Sequence, residues 1–389
     1  MKDTHIQAPS LATLLTHHSE KWRSFDRDVL PLPVAEMDFP IAEPIRIVLQ
    51  EMITNSDLGY LGAVPELAEG FAKFAAQRWG WSVDTSQVRV ASDVGVAVVE
   101  VLRVITRPGD TILINSPVYQ NFYNWINETQ LTKIDVPFTR TGISSQMLNP
   151  WQLDLDAIEK VYASGLKVHL LCSPHNPLGR VYSKEELERI AQMAKTYGVL
   201  VISDEIHAPL TFSSHTFFPF LGINETAREV GITVTAASKG WNIAGLKCAI
   251  IVSQNDEIKA KLDLMPAAVH FRAAILGAFA SAVAFAHCGS WLDSVIAQLD
   301  HNRLMLQDLL ATHLPSVTYD LPQNSYLAWV DLSSLNLGEN PAATLLEKGR
   351  VAFNAGSIYG TQASQYVRLN FATSPEIITE AIARIVKAI

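Results

Sequence analysis

Five short motifs concentrate residue types that can do chemistry together: Ser92-Asp93-Val94-Gly95, Ser116-Pro117-Val118-Tyr119, Ser173-Pro174-His175-Asn176-Pro177, Asp204-Glu205-Ile206-His207 and Ser238-Lys239-Gly240. A lysine amine can form a Schiff base, and burial beside other cations lowers its pKa so that it can also move a proton. An aspartate keeps a pyridine nitrogen protonated, which makes the ring an electron sink. An asparagine can donate to the phenolic oxygen of that ring, and an aromatic side chain can stack on its face. Lys239, Asp204, Asn176 and Tyr119 therefore form a set suited to pyridoxal phosphate.

Each motif follows a short run with strand character. The runs 88–91, 111–115, 133–136, 168–172, 200–203, 233–236 and 248–253 alternate with helical stretches, and that alternation predicts a mostly parallel sheet covered by helices. Ligands of such sheets bind at the carboxyl ends of the strands, where the motifs stand. Ser183-Lys184-Glu185-Glu186 has the form of a capping box and opens a predicted helix that Gly198 stops after Tyr197. Beyond Ser253 the pattern changes. A helical stretch over about 256–312, strands at 325–331 and 366–371, and a last helix after Pro375 predict a smaller α+β unit. The expected fold class is α/β, with a mostly parallel seven-stranded sheet, helices on both its faces, and a smaller α+β domain. The expected division is an N-terminal segment 1–45 packing with the small domain, a large domain 46–285 and a small C-terminal domain 286–389.

Composition narrows the partners. The 389 residues carry 30 Lys+Arg against 39 Asp+Glu, a net charge of −9, so no broad positive field draws nucleic acid or anionic lipid and an anionic ligand needs local cations. Apolar residues make up 48%, with 20 Gly and 19 Pro, which is globular usage and excludes collagen-like and low-complexity chains. Cys172, Cys248 and Cys288 are an odd number with no CxxC spacing, as expected of buried thiols in a reducing compartment, with neither a disulfide nor a metal. The opening residues lack the unbroken apolar run of a secretory signal, and the most apolar run, 272–287, falls short of the about 20 residues of a membrane span. A soluble cytoplasmic protein is expected.

The motifs, together with PLPVAEMDFP (31–40), SPVYQNF (116–122), SPHNPLGRVYSKEEL (173–187), VISDEIHAPL (201–210), SKGWNIAGLKCA (238–249) and YVRLNFATSPE (366–376), give the chain a clear likeness over nearly its whole length. It resembles the fold-type I pyridoxal phosphate enzymes of the aspartate aminotransferase superfamily. Within them it is most similar to the MalY/PatB group of cystathionine β-lyases, or C–S lyases, including their AecD-like members. The resemblance implies that Lys239 forms the Schiff base, Asp204 pairs with the pyridine nitrogen, Asn176 bonds the phenolic oxygen, and Tyr119 stacks on the ring, beside the reacting atoms. It implies a phosphate site made of the N–H groups of Val94 and Gly95 at a helix N-terminus, Ser238 and Lys247, with His207 beside the cofactor. Tyr60 is implied to reach the phosphate of a neighbouring subunit, in a homodimer with sites at the interface. Arg368 is implied to clamp the substrate carboxylate through its planar fork, with the Ala35 backbone, Asn176 and Tyr119 completing the pocket.

Some positions depart from the aminotransferase pattern. His207 stands three residues after Asp204 where many aminotransferases have Tyr, and His175 precedes the Asn-Pro pair; both are lyase-like. Lys247 stands where many relatives have Arg, and Asn354-Ala355 where Pro-Gly is expected. Asp93 brings a negative charge to the phosphate loop, tolerable if it caps the helix and points away. The implied activity is α,β-elimination of L-cystathionine or another S-substituted cysteine to a thiol, pyruvate and ammonia. The alternatives are an aminotransferase on the same site and a regulatory binding protein of MalY type. Ordinary roles exist for single members of the set: a surface salt bridge for Arg368, core packing for Tyr119, a hydrogen-bonded wall position for His207.

Overall fold

A computed structural model describes residues 6–142 and 149–389. Its largest sheet has seven strands in the order Val88–Ala91, Ala249–Val252, Gly231–Thr235, Leu200–Asp204, Val168–Cys172, Thr111–Ile114, Thr132–Asp135. Ala249–Val252 runs antiparallel to both its neighbours, and the other adjacent pairs are parallel. Side chains alternate between the faces. Ile112, Ile114, Leu170, Ile202 and Ile232 join Val98, Val101 and Phe122 in one core cluster. Leu113, Leu171 and Val201 join Leu187, Ile190 and Ala194 in the other. A parallel sheet buried on both sides must be apolar on both, which is why these strands read as continuous hydrophobic runs.

The predicted capping box is present: Ser183 Oγ accepts from Glu186 N at 3.2 Å and Glu186 Oε2 accepts from Ser183 N at 2.9 Å. The helix spans Lys184–Tyr197 and ends where Gly198 takes the left-handed conformation at φ 69°. The stretch read as one long helical region is divided into Asp256–Leu262, Ala268–Phe271, Ile275–His287 and Gly289–His313. Pro266 disfavours helix at Met265 and has no N–H to donate. The last two helices meet at 82°, and the Cys288 carbonyl at their junction accepts from Trp241 Nε1. Among the described residues no single helix is long and apolar enough to cross a membrane.

A second sheet has the order Thr318–Tyr319, Leu327–Asp331, Tyr366–Asn370, Asn354–Ala355, all antiparallel. Near the N-terminus, Leu30–Pro31 pairs in parallel with Val351–Ala352. From there an irregular strap, residues 33–39, crosses between the two sheets. Its carbonyls are held by side chains remote in sequence: Pro33 by Asn354 and Arg368, Val34 and Glu36 by Asn370, and Met37 and Phe39 by Asn242.

One ion pair secures the strap from below. Lys21 Nζ meets Asp38 Oδ2 at 2.8 Å with both side chains buried, and Trp22 Nε1 donates to Asp38 Oδ1 at 2.9 Å. Removing one partner of a buried pair leaves an uncompensated charge, so Asp38→Ala is expected to lose about 3–5 kcal/mol of stability. Urea denaturation measures it, and a Lys21→Met/Asp38→Leu double variant should recover most of the loss.

Candidate active site

At the carboxyl ends of the parallel strands lies a cavity of about 250 Å³. Ten of the twelve residues singled out from the sequence line it: Ala35, Val94, Gly95, Tyr119, Asn176, Asp204, His207, Ser238, Lys239 and Lys247. The eleventh, Arg368, is joined to it through Asn176. The twelfth, Tyr60, is 92% exposed and stands apart from the cavity of its own chain.

Lys239 does not follow its strand directly. The strand ends at Thr235, and Ala236 caps a one-turn helix, Ala237–Gly240, that lifts Lys239 into the cavity. Its Nζ donates to the Ala35 carbonyl at 2.7 Å. Burial and the neighbouring Arg368 charge push the lysine down to about 8. Asp204, the last residue of Leu200–Asp204, is buried; its Oδ1 accepts the Ile206 N–H at 3.2 Å, and no cation stands at ion-pair distance among the described residues. Burial raises its carboxyl to about 7. A buried carboxylate in this condition calls for a cationic donor.

Arg368 lies on Tyr366–Asn370, opposite Trp329 on one side and Asn354 on the other. It is 2% exposed, which excludes a surface salt bridge. Its guanidinium donates to Asn176 Oδ1 at 3.2 Å and to the Pro33 carbonyl at 2.9 Å, and Nε has no partner. Tyr359 presents its ring at 5.1 Å. A buried guanidinium facing only neutral acceptors is suited to a carboxylate ligand. The bond to Oδ1 also fixes the Asn176 amide, leaving its NH₂ group as the donor toward the cavity.

Helix Val94–Ile105 starts at the cavity with Asp93 as its N-cap. Asp93 Oδ1 accepts Val96 N at 2.9 Å, so the cap forms, but the carboxylate does not point away: Oδ2 meets Lys247 Nζ at 3.3 Å. The first N–H groups of a helix have no intrahelical acceptor, so those of Val94 and Gly95 remain for an anion. Space at Gly95 is tight: a Cβ there would lie 3.1 Å from Trp125 Nε1 and 3.3 Å from Asp93 Oδ1, so those side chains would have to shift by a few tenths of an ångström to admit one. Lys247 is exposed and held in the left-handed region at φ 51°.

Tyr119 borders the cavity edge-on to Trp125, with ring centroids 6.0 Å apart. Its hydroxyl accepts from Asn121 Nδ2, and burial pushes it up to about 12. His207 is buried, with Nδ1 3.0 Å from Ser325 Oγ; burial, with Lys239 and Arg368 adding, holds it at about 3, hence neutral. His175 points elsewhere, with Nε2 donating to the Asn115 carbonyl at 3.2 Å and its ring edge-on to Phe138. Trp125 and Tyr326 stand outside the quoted motifs, Asn121 lies within SPVYQNF, and Asn354 stood out only as a departure from Pro-Gly; none of the four was read as a site residue, and three-dimensional proximity reveals their roles.

No group of His, Cys, Asp and Glu side chains among the described residues is arranged for a metal. The three cysteines are free and buried. The chemistry of the donor set fits pyridoxal phosphate: an unpaired buried carboxylate, an amine, a fixed amide NH₂ and a helix N-terminus line one cavity.

These features place the chain in a known class. It belongs to the family of class I and II aminotransferases, whose description matches residues 28–385. A Mycobacterium tuberculosis protein provisionally named as a cystathionine beta-lyase is 38% identical over 397 residues, covering 95% of this chain and 94% of that protein. The cystathionine beta-lyase of Corynebacterium glutamicum is 32% identical over 383 residues, covering 98% and 99%. Among solved structures, cystalysin from Treponema denticola, which contains pyridoxal 5'-phosphate, superposes with a TM-score of 0.91 at 28% identity, covering 100% of this chain and 99% of that one.

Proposed function

We propose that the chain is a pyridoxal phosphate-dependent carbon–sulfur β-lyase acting on L-cystathionine or another S-substituted cysteine. The observation that carries this reading is the meeting of Lys239, buried Asp204 and fixed Asn176 around one cavity, with carboxylate-ready Arg368 bonded to its wall. The names of the relatives above support elimination from sulfur amino acids. Water and cystathionine would give homocysteine, pyruvate and ammonia.

Bound pyridoxal phosphate supplies an electron sink for the pair left when Cα loses its proton. Arg368 holds the substrate carboxylate, with the Ala35 backbone beside it. The Asn176 NH₂ group donates to the phenolic oxygen, and the Asp204 carboxylate holds a proton on the ring nitrogen. Lys239 Nζ takes the Cα proton as general base. Tyr119 covers the ring and excludes water, while His207 stays neutral as a wall. Ser238, Lys247 and the N–H groups of Val94 and Gly95 hold the phosphate. The exposed Tyr60 is assigned to the phosphate site of a second copy, which makes the working unit a homodimer. Three free thiols suit a cytoplasmic setting.

Supplied with L-cystathionine and no keto acid, the enzyme is expected to release thiol and pyruvate over many turnovers. A reaction that stops after one turnover and resumes only on adding 2-oxoglutarate would make it an aminotransferase.

A further inference from the structure

The Ala35 carbonyl oxygen accepts two hydrogen bonds. One comes from Lys239 Nζ at 2.7 Å and the other from Tyr326 Oη at 3.0 Å. The three groups come from three parts of the fold: the strap, the short helix after Gly231–Thr235, and the residue preceding strand Leu327–Asp331 of the second sheet. Tyr326 is 1% exposed, and its ring stands edge-on to His207 with centroids 6.2 Å apart.

The approach to Tyr326 is tightly held on the cofactor side. Gln323 N donates to the Gly179 carbonyl at 2.7 Å, Asn324 Nδ2 to the His207 carbonyl at 2.8 Å, and Ser325 N to the Leu210 carbonyl at 3.1 Å. Ser325 adopts a left-handed φ of 74°, a conformation disfavoured for a side chain and therefore imposed by these bonds. The Tyr326 hydroxyl is thus a fixed donor to a fixed carbonyl.

We propose that the Ala35 carbonyl is the dock for the Lys239 amine whenever turnover frees it from the cofactor, and that Tyr326 is a positioning residue that tunes this dock. The inference rests on Lys239 being the cofactor tether. A carbonyl oxygen only accepts, so the docked amine spends an N–H on it, and in the neutral form its lone pair stays free for the Cα proton. Two donors on one oxygen weaken each other. Tyr326 thereby limits how strongly the carbonyl holds the ammonium form, which keeps Lys239 available as a base. The charged groups around Lys239 act in both directions: Arg368 and Lys247 disfavour its protonation, while Glu36 and Asp204 favour it. Tyr326→Phe leaves all four unchanged.

Without the Tyr326 hydroxyl, the carbonyl accepts from Lys239 alone and the ammonium form gains. A hydrogen bond of ordinary net strength corresponds to a shift of about 0.4–1 pH unit. The test uses full-length protein stripped of cofactor and reconstituted with pyridoxal phosphate at a series of pH values. Attachment requires the neutral amine, which adds to the aldehyde carbon as water leaves, and absorbance follows its rate. In Tyr326→Phe the midpoint of the rate profile should move up by about half a unit or more, and the acid limb of kcat in the reconstituted enzyme should move with it. Tyr162→Phe is the control: it removes a buried hydroxyl bonded to His169 Nδ1 at 2.7 Å, away from the strap. It should leave the midpoint in place. A midpoint in Tyr326→Phe that stays put or falls, in a folded protein that still attaches cofactor at Lys239, overturns the dock. Attachment at another lysine in the unaltered protein overturns the tether assignment instead.

Discussion

Lys239→Ala is expected to abolish borohydride-fixed attachment of pyridoxal phosphate and to lower kcat for elimination by about 10²–10⁴-fold or more, the range that one positioned general base supplies. The expectation follows from the placement of Nζ in the cavity, partly buried, with burial and Arg368 holding the amine near 8. An amine with that value is neutral in a useful fraction of molecules near physiological pH, whereas an ordinary lysine is not. Mass spectrometry of the reduced protein reads the attachment site directly. A borohydride label that persists in Lys239→Ala would remove this residue from the tether role, whatever the activity did.

Arg368→Ala is expected to lower kcat/KM for amino acids by about ten- to a hundredfold, because a hydrogen bond to a charged group contributes about 1.5–3 kcal/mol. The loss should appear mostly in KM, since the carboxylate is bound both before and during reaction. Cofactor absorbance should persist, because the side chains of Asp204 and Lys239 and the helix N-terminus at Val94 all remain, although losing the guanidinium charge lets the pKa of the Lys239 amine rise. Arg368→Lys should recover little of the loss. A lysine point charge cannot satisfy Asn176 Oδ1 and Pro33 O and still present a planar fork to a carboxylate. Equal KM values for Arg368→Ala and the unaltered enzyme would place the carboxylate elsewhere.

Much of the architecture was legible because its causes are local. The five inner strands of the large sheet are short, mostly apolar runs buried on both faces, the edge strands Val88–Ala91 and Thr132–Asp135 are partly exposed, and punctuation marks where each one ends. The helix Lys184–Tyr197 carries its start and stop signals in Ser183, Glu186 and Gly198. Where the reading differed, a competing interaction decided. The strand expected at 233–236 ends at Thr235 because Ala236 turns the chain into the helix that presents Lys239. The stretch 256–312 breaks into four helices, and two of the three breaks fall at Pro266 and at Cys288.

By itself the sequence determined which residue types stand at the ends of the parallel strands. Those positions are set by where each short apolar run stops and by the turn that follows it, both of which are local properties. Only the tertiary structure decided what those residues meet. Arg368 turns to Asn176 across 192 residues, and Tyr326 reaches the Ala35 carbonyl across 291. The strap 33–39 has no regular structure, so nothing periodic announces that its carbonyls will be held by Asn354, Asn370, Asn242 and Tyr326. Such contacts depend on how the second sheet packs against the first, and that packing follows from apolar area buried over the whole chain rather than from any one motif.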